Sequence, residues 1–263
     1  TGNANASGGT YVAWCWKGGG AAVSNSDGAI TSSVSVNDEA GFSIVSYSGN
    51  GNSTATIGHG LSKAPKWIIT KCRSTDTQAD WVSWHVALSD NKNVFLNQTN
   101  AEVTPSYGHI TDPTSTLINV TKSSGNQTNA SGETYISYCW AEIPGYSKFG
   151  VYRGNGNSDG TYVVTGFKPA FLIMKRINAA RNWMIFDNKR DPDNPATAFL
   201  EADQTTAEAT INGGIDFLAN GFKCVTSDTD VNANDTSGGD TYIYIAFADQ
   251  TSLNQFNLAV NGR

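Results

Sequence analysis

The sequence is poor in charge and has no long apolar run. Charged residues make up 15% of the 263 positions, well below the quarter that is usual in globular proteins. The net charge is −6 and no basic run occurs, so binding of nucleic acid through phosphate neutralisation is not expected. No apolar stretch approaches the roughly 18 residues of a membrane-spanning helix, so membrane insertion is not expected either. A signal peptide is not visible.

Residues that catalysis commonly uses are also scarce or poorly placed. The chain has three histidines, at positions 59, 85 and 109, and no Gly-x-Ser-x-Gly motif that would hold a serine nucleophile. A glycosidase needs two carboxyl groups set across a cleft. The acidic candidates lie in turn-like contexts, where Asp normally accepts backbone N–H groups; they are Asp80, Asp187, Asp191, Asp193 and Glu201. The sequence therefore predicts a protein that is not an enzyme.

Metal and cofactor motifs are weak. Residues 227–235 place oxygen-bearing side chains at alternating positions, but the segment lacks the Gly at the sixth position and the Glu at the twelfth that an EF-hand requires. No C-x-x-C pair occurs, so a zinc site is not expected. We predict no metal and no cofactor.

One segment, by contrast, is present three times. A polar turn leads into a strand-like run in residues 5–16, 129–141 and 236–248. We call the strands of these copies the closing strands. Their β-branched and aromatic residues recur with period two, which is typical of β-strands. Aligned on Thr10, Thr134 and Thr241, each copy has a bulky face (Thr10, Val12, Trp14, Trp16; Thr134, Ile136, Tyr138, Trp140; Thr241, Ile243, Ile245, Phe247) and a small face (Tyr11, Ala13, Cys15; Tyr135, Ser137, Cys139; Tyr242, Tyr244, Ala246). We predict that the bulky face is core and that the small face is only partly covered.

The repeat extends beyond the closing strands. Residues 47–52 match residues 152–157, and residues 64–71 match residues 168–175. The offsets between matched motifs vary by a few residues, as insertions and deletions in surface loops produce. A repeat of roughly 100 residues has the size of a common domain.

The repeat divides the chain into predicted segments. Two tandem modules are expected, unit one at residues 41–142 and unit two at residues 143–249. Residues 1–16 are predicted to be the closing strand of a preceding or truncated module, which implies a longer repeat-bearing polypeptide. Residues 17–40 are predicted to be a Gly/Ser-rich linker with an edge strand, and residues 250–263 a C-terminal tail.

The pattern of short strands between turns predicts an all-β fold. No segment carries a convincing 3.6-residue apolar period, and we expect two antiparallel β-sandwich modules of the jelly-roll or lectin-like kind. Residues 215–225 indicate a hairpin around Asn220-Gly221. Four tryptophans at repeated strand positions are predicted to be core: Trp67, Trp81, Trp140 and Trp183.

The four cysteines are predicted to be free thiols. Cys15 and Cys139 hold equivalent positions in the repeat, but unit two has Ala246 there, and Cys72 and Cys224 have no repeat-equivalent cysteine. A disulfide framework would recur in each module. Free, semi-buried thiols suit assembly in a reducing cytoplasm.

The residues predicted to bind a ligand are aromatic residues in or near loops. Tyr107, in the segment 105–109, indicates an exposed loop tip, and His109 ends the same segment. Trp84 is a further candidate, because its counterpart in unit two is Phe186 and not a tryptophan. Exposed binding residues tend to lie on loops. These three residues are the predicted binding candidates.

The combination of motifs resembles a known family. It comprises the closing-strand motif, the segments 141–150, 152–160, 166–169 and 185–187, and the segment 218–222. Together these resemble a domain of unassigned function in tail-fibre and other structural proteins of tailed bacteriophages, especially those of marine and cyanobacterial hosts. The resemblance covers residues 1–249, and Phe247 departs from the usual closing Trp.

The resemblance implies a structural protein of the virion. We expect a tail-fibre or appendage component that displays loops for attachment to a host-surface glycan or protein and that contacts other virion proteins. A homotrimer is expected, from the symmetry usual in fibres and from the small face, which a neighbouring chain would cover. The alternatives are an architectural virion component without a receptor role and a glycan depolymerase.

Overall fold

A computed structural model describes residues 6–249 of the chain. These residues form eighteen β-strands and no helix, so the predicted all-β class is confirmed. Every pairing between named strands is antiparallel. Within this part of the chain there is no helix of the length and apolarity needed to cross a membrane.

Residues 17–142 form a seven-stranded sheet and a three-stranded sheet. The large sheet has the order β1-β2-β3-β10-β5-β6-β7 and the small one the order β4-β9-β8. The strands are β1 (Val23–Asn25), β2 (Ser32–Asn37), β3 (Phe42–Ser48), β4 (Thr54–Gly58), β5 (Trp67–Cys72), β6 (Val82–His85), β7 (Val94–Phe95), β8 (Ile110–Thr111), β9 (Leu117–Thr121) and β10 (Thr134–Trp140).

Residues 143–249 form one eight-stranded sheet, which is nearly closed and barrel-like. Its order is β11-β18-β13-β14-β15-β16-β17-β12, and β16 and β17 form the hairpin predicted around Asn220-Gly221. The strands are β11 (Ser147–Arg153), β12 (Tyr162–Val164), β13 (Pro169–Arg176), β14 (Trp183–Asp187), β15 (Ala196–Glu201), β16 (Ala209–Leu218), β17 (Gly221–Cys224) and β18 (Thr241–Ala248).

The closing strands β10 and β18 are central in their sheets. β10 pairs with β3 on one side and β5 on the other, and β18 pairs in the same way with β11 and β13. Their small faces point into the two units, where Tyr47 stacks on Tyr135 and Tyr152 stacks on Tyr242. The small faces of both strands are completely or almost completely buried, so the prediction that this face is only partly covered is wrong.

The bulky faces of β10 and β18 meet each other between the two units. They contribute to a third apolar cluster, separate from the two clusters inside the units, which comprises Phe42, Trp67, Ile69, Val94, Trp140, Phe149, Ile173, Ile177, Trp183, Ile185, Ile243, Ile245 and Phe247. In β18 the bulky-face residues Ile243, Ile245 and Phe247 are buried, whereas in β10 only Trp140 is. The prediction that the bulky face is core is thus confirmed for β18 and only in part for β10, and the core to which it belongs joins the units.

Apart from the bonds at the junction itself, in residues 141–149, five hydrogen bonds given by the described residues cross the same boundary. Two are backbone bonds, from Glu102 N to Ile177 O and from Arg181 N to Thr99 O. The other three join Trp183 Nε1 to Phe95 O, Lys175 Nζ to Thr99 O and His85 Nε2 to Tyr244 O. The segment that follows β7 therefore lies over the outer face of β13 and β14.

The first copy of the closing strand differs from the other two. The described part of it, residues 6–16, forms no strand, so the predicted strand is not observed there. Trp14 and Trp16 nevertheless pack against the cluster between the units. Residues 17–40 contribute β1 and β2, which cover the edge of β3, so this segment is more than the predicted linker with one edge strand.

The buried small face also bears on the expected homotrimer. One reason for that expectation was that a neighbouring chain would cover this face. Units one and two each cover the small face of their own closing strand, so the reason does not apply to β10 and β18, whereas Tyr11 and Cys15 of the first copy are exposed. The trimer stays a prediction that draws mainly on fibre symmetry.

A buried asparagine fixes the same turn in both units. Asn129 donates through Nδ2 to Asn50 Oδ1 and Asn52 O, and its Oδ1 accepts the N–H of Asn50. Asn232 makes the same three bonds to the turn at residues 155–157. Both asparagines have no exposed surface, and buried amides of this kind need all their partners.

We predict that Asn129→Ala and Asn232→Ala each lower the free energy of unfolding by about 2–3 kcal/mol, because each leaves buried turn groups without partners. Chemical denaturation measures the loss. Asn129→Asp is the matched control, since it keeps the acceptor for Asn50 N and removes the two donors. A loss of less than about 0.5 kcal/mol in both alanine variants would show that the turns do not depend on these side chains.

Candidate functional site

A cavity lies between the first closing-strand copy and unit two. Its volume is about 430 Å³, within the range of small-molecule sites. Trp14, Trp16, Phe171 and Phe247 form its aromatic walls, and Trp16 contacts both phenylalanines edge to face. Its polar lining comprises Lys17, Asp187, Asn188, Lys189, Arg190 and Asp249.

Asp187 organises the polar side of this cavity. Its Oδ2 accepts from Trp14 Nε1 at 3.2 Å and from Arg190 Nε at 2.6 Å. Its Oδ1 accepts the N–H groups of Lys189 and Arg190. Burial alone would raise the pKa of Asp187, but the hydrogen bonds and charge of Arg190 outweigh it and hold the pKa below its usual value. A carboxylate engaged in this way holds the turn and the Trp14 ring and is not free to act as an acid or base.

Asn188 gives the cavity its one unusual polar atom. Its Oδ1 is buried and has no hydrogen-bond partner among the described residues, although its backbone N–H donates to Ala170 O. Buried acceptors are normally satisfied. On this side the cavity therefore presents a buried acceptor that is not satisfied by residues 6–249.

Not all of the predicted binding residues are exposed to solvent. Trp84 is 6% exposed and lies in the interior cluster of unit one, so it is removed from the candidates. His109 is half-buried, its Nδ1 lies 2.8 Å from Thr121 Oγ1, and burial lowers its pKa. Tyr107 is 36% exposed, in agreement with an exposed loop tip.

The Tyr107 ring is held in place by Gly125. A Cβ atom built on Gly125 would lie 2.3 Å from the Tyr107 Cβ and 2.7 Å from the first ring carbon, so only glycine fits beneath the ring. Ser123 and Ser124 on the same loop are exposed. An exposed aromatic ring that packs over a glycine presents one flat apolar face on which a sugar ring can stack.

The carboxylates considered for catalysis are engaged in structural hydrogen bonds. Asp80 accepts from the side-chain amides of Asn97, Gln98 and Gln127. Asp191 accepts from the backbone of Thr197 and Ala198, and these bonds lower its pKa. Across residues 6–249 no group of three or more His, Cys, Asp or Glu side chains is arranged to hold a metal ion.

The cysteines are free thiols, with Cys15 exposed and the other three buried. Burial raises the pKa of the Cys139 and Cys224 thiols to about 12, so neither is reactive at neutral pH. Cys15 is thus the thiol of this part of the chain that solvent reaches.

Sequence reasoning missed the cavity. Trp14 and Asp187 are 173 residues apart, and residues 1–16 were predicted to form a strand, which places no constraint on a distant turn. Sequence reasoning also missed that His85 and Asp187 occupy equivalent positions in the repeat. Both side chains accept the N–H of the residue two positions later.

The features above define an all-β protein of repeated strand motifs, joined by an aromatic cluster. The chain belongs to the family described as Domain of unknown function (DUF7483), whose model matches residues 1–251. No curated protein matches the chain, and no solved structure does.

Proposed function

We propose that this protein is a structural component of a tailed-phage particle, in a tail fibre or related appendage, and that it displays loops for attachment to a host-surface glycan. The proposal draws on the resemblance of its repeated motifs to phage structural proteins. A surface with few charges and with carboxylates engaged in turns suits scaffolding better than catalysis.

We further propose that units one and two are copies of one β-sandwich module. The support is the match between their internal contacts. In both units a tyrosine hydroxyl on the first strand donates to a backbone carbonyl: Tyr47 to Thr128 O and Tyr152 to Val231 O. The asparagine that fixes the turn and the stacked tyrosine pair also recur at equivalent positions.

The loop that carries Tyr107 is the proposed attachment site. The observation that carries this choice is the exposed ring fixed on Gly125. Close packing of the ring over Gly125 limits the conformational entropy that it would lose on binding a sugar. Affinity per site is expected to be weak and to be increased by display of several copies.

We predict that Tyr107→Ala and Gly125→Ala each weaken glycan binding at least about tenfold, or about 1.4 kcal/mol. The first variant removes the ring, and the second displaces it by steric contact. Ser124→Ala is the matched control in the same loop and is expected to bind almost as the parent does. A glycan array identifies the ligand, and titration of the best hit measures the affinity.

Other results would lead to different functions. Binding that is lost in Trp14→Ala and retained in Tyr107→Ala would transfer the site to the cavity. Binding to virion proteins and to no glycan would favour a purely architectural role. Release of oligosaccharide from a host polysaccharide would show that the protein is a depolymerase.

A further inference from the structure

Equivalent surfaces of the two units are covered to different extents. In unit two the outer face of β13 and β14 is buried, and Trp183 and Lys175 have no exposed surface. The repeat-equivalent residues of unit one are Trp81 and Lys71. Trp81 is 36% exposed, although the prediction placed it in the core.

The cover on unit two is supplied by unit one. The segment that follows β7 presents Phe95 O to Trp183 Nε1 and Thr99 O to Lys175 Nζ. No hydrogen bond of this kind reaches the Trp81 ring from the described residues. The face around Trp81 therefore matches a surface whose partner is known, namely the segment after β7 of another unit.

The first closing-strand copy shows the same incompleteness. Tyr11 is 53% exposed and Cys15 is exposed, whereas their equivalents Tyr135 and Cys139 are fully buried inside unit one. The bulky face of this copy packs against the cluster between the units through Trp14 and Trp16. In residues 6–16, the side chains of Tyr11 and Cys15 are therefore not buried by a unit as those of Tyr135 and Cys139 are.

The contacts of Trp14 and Trp16 repeat those between the two units. His85 of unit one binds Tyr244 O on the closing strand of unit two. Asp187 is the repeat equivalent of His85, and it binds Trp14 on the first closing-strand copy. His85 and Asp187 thus each contact a copy of the closing-strand motif, the first at a backbone oxygen and the second at the Trp14 ring.

The aromatic contacts indicate an arrangement of three units around one centre. Trp16 is the repeat equivalent of Trp140 and Phe247, and its ring contacts both of theirs at 5.7 and 5.4 Å. The three copies of the closing-strand motif therefore each contribute a ring to one aromatic centre. Residues 6–249 supply complete units for two of these three copies.

The cavity lies where the missing unit would place its first strand. In unit two the ring of Phe149, on β11, lies beside His85 of unit one at 6.4 Å, and Phe149 pairs with Ile245. Trp14 is the equivalent of Ile245, and Asp187 is the equivalent of His85. The residue of a third unit that is equivalent to Phe149 would thus enter the cavity beside Trp14 and Asp187.

We propose that this chain docks a third β-unit of the same repeat, for which residues 10–16 are the closing strand. That unit covers Tyr11 and Cys15 with its interior, fills the cavity with its first strand, and covers Trp81 with the segment equivalent to residues 95–103. The three units then form a closed, pseudo-threefold arrangement. The inference is independent of glycan attachment.

The test is to supply the third unit in the same polypeptide. In one extended chain, residues 143–231 are added directly before Asn5, so that Asn5 takes the place that Asn232 has in unit two. In a second extended chain, residues 41–128 are added before Asn5, which then takes the place that Asn129 has in unit one. The rate of thiol labelling of Cys15 is compared with that of the parent chain. We expect one fast-reacting thiol in the parent and none in an extended chain, with labelling slowed at least about tenfold by burial.

Radical footprinting provides the second measurement in the extension that carries residues 143–231. Modification of Trp81 is expected to fall with that of Cys15, whereas Tyr107, which has the same exposure in unit one, serves as the unchanged control. If neither extension protects Cys15, the proposal is overturned. A parent chain that doubles in mass and protects Cys15 and Trp81 would overturn it too, because a second copy would then be the partner.

Discussion

Replacing Trp183 with alanine is expected to lower the free energy of unfolding by about 3–5 kcal/mol, as truncation of a buried aromatic side chain does. Trp183 has no exposed surface and is a member of the cluster between the units. Its Nε1 also donates to Phe95 O at 2.8 Å, so the variant leaves a buried carbonyl oxygen without this partner.

Trp81→Ala is the matched control for this prediction. It removes the same side chain at the repeat-equivalent position, directly before β6, where the ring is 36% exposed. We expect it to lower the free energy of unfolding by about 1 kcal/mol or less. Trp183→Phe separates the two contributions, because it keeps most of the apolar surface and removes the N–H donor. Urea unfolding of the three variants measures the differences. Equal losses in Trp183→Ala and Trp81→Ala would show that packing between the units contributes little to stability.

The strands could be predicted from the sequence because the signal is local. Period-two alternation and the Ser-Gly turns placed Thr134–Trp140 and Thr241–Ala248 correctly. The same motif in residues 6–16 forms no strand, because its described part has no neighbouring strand with which to pair. A strand is stable only when its N–H and C=O groups have partners, and a local motif does not carry that information.

The burial of the two strand faces could not be predicted from composition. Tyr135, Ser137 and Cys139 are small or polar-tipped, yet they fill the interior of unit one. Ser137 is accommodated there because its Oγ lies 2.7 Å from Thr70 Oγ1, which satisfies both hydroxyl groups. The bulkier face is buried by the other unit, and contacts between units are invisible to the alternation pattern of one strand.

The candidate site was predicted only in part. Tyr107 is exposed as the Pro- and Gly-containing loop indicated, but the glycine that holds its ring lies eighteen positions later, at Gly125. Trp84 was separated from the core tryptophans because its counterpart is Phe186, yet both rings are buried in their units. A difference in residue type between repeats was therefore no indication of exposure, whereas the shared Trp81 is the exposed one.

Acidification is expected to destabilise the contact between the units through His85. This side chain is fully buried, and its Nε2 lies 3.2 Å from Tyr244 O while its Nδ1 accepts the N–H of Ala87 at 3.1 Å. The geometry therefore assigns the proton of the neutral ring to Nε2. A second proton on Nδ1 would face the Ala87 N–H and would introduce a charge into an apolar contact.

The sign of the pH dependence follows from the pKa of His85. Burial lowers this pKa from 6.5 to about 3, so the unfolded chain takes up the proton first as the pH falls. The stabilisation is complete above pH 6.5 and is lost progressively towards pH 3. At about 1.4 kcal/mol for each pKa unit, the loss is on the order of 3 kcal/mol by about pH 4.5.

His85→Asn isolates this contribution from that of the other titrating groups. Asparagine keeps an acceptor for the Ala87 N–H, as Asp187 does for Lys189 at the equivalent turn, and it does not titrate. We expect the variant to be less stable than the parent at pH 7, because the bond to Tyr244 O is lost. Its unfolding free energy should then change less between about pH 6.5 and pH 4.5, so the two curves converge as the pH falls. Parallel curves for parent and variant would mean that His85 does not titrate in this range. The acid sensitivity would then come from other groups, among them His59 and His109, whose pKa values burial also lowers.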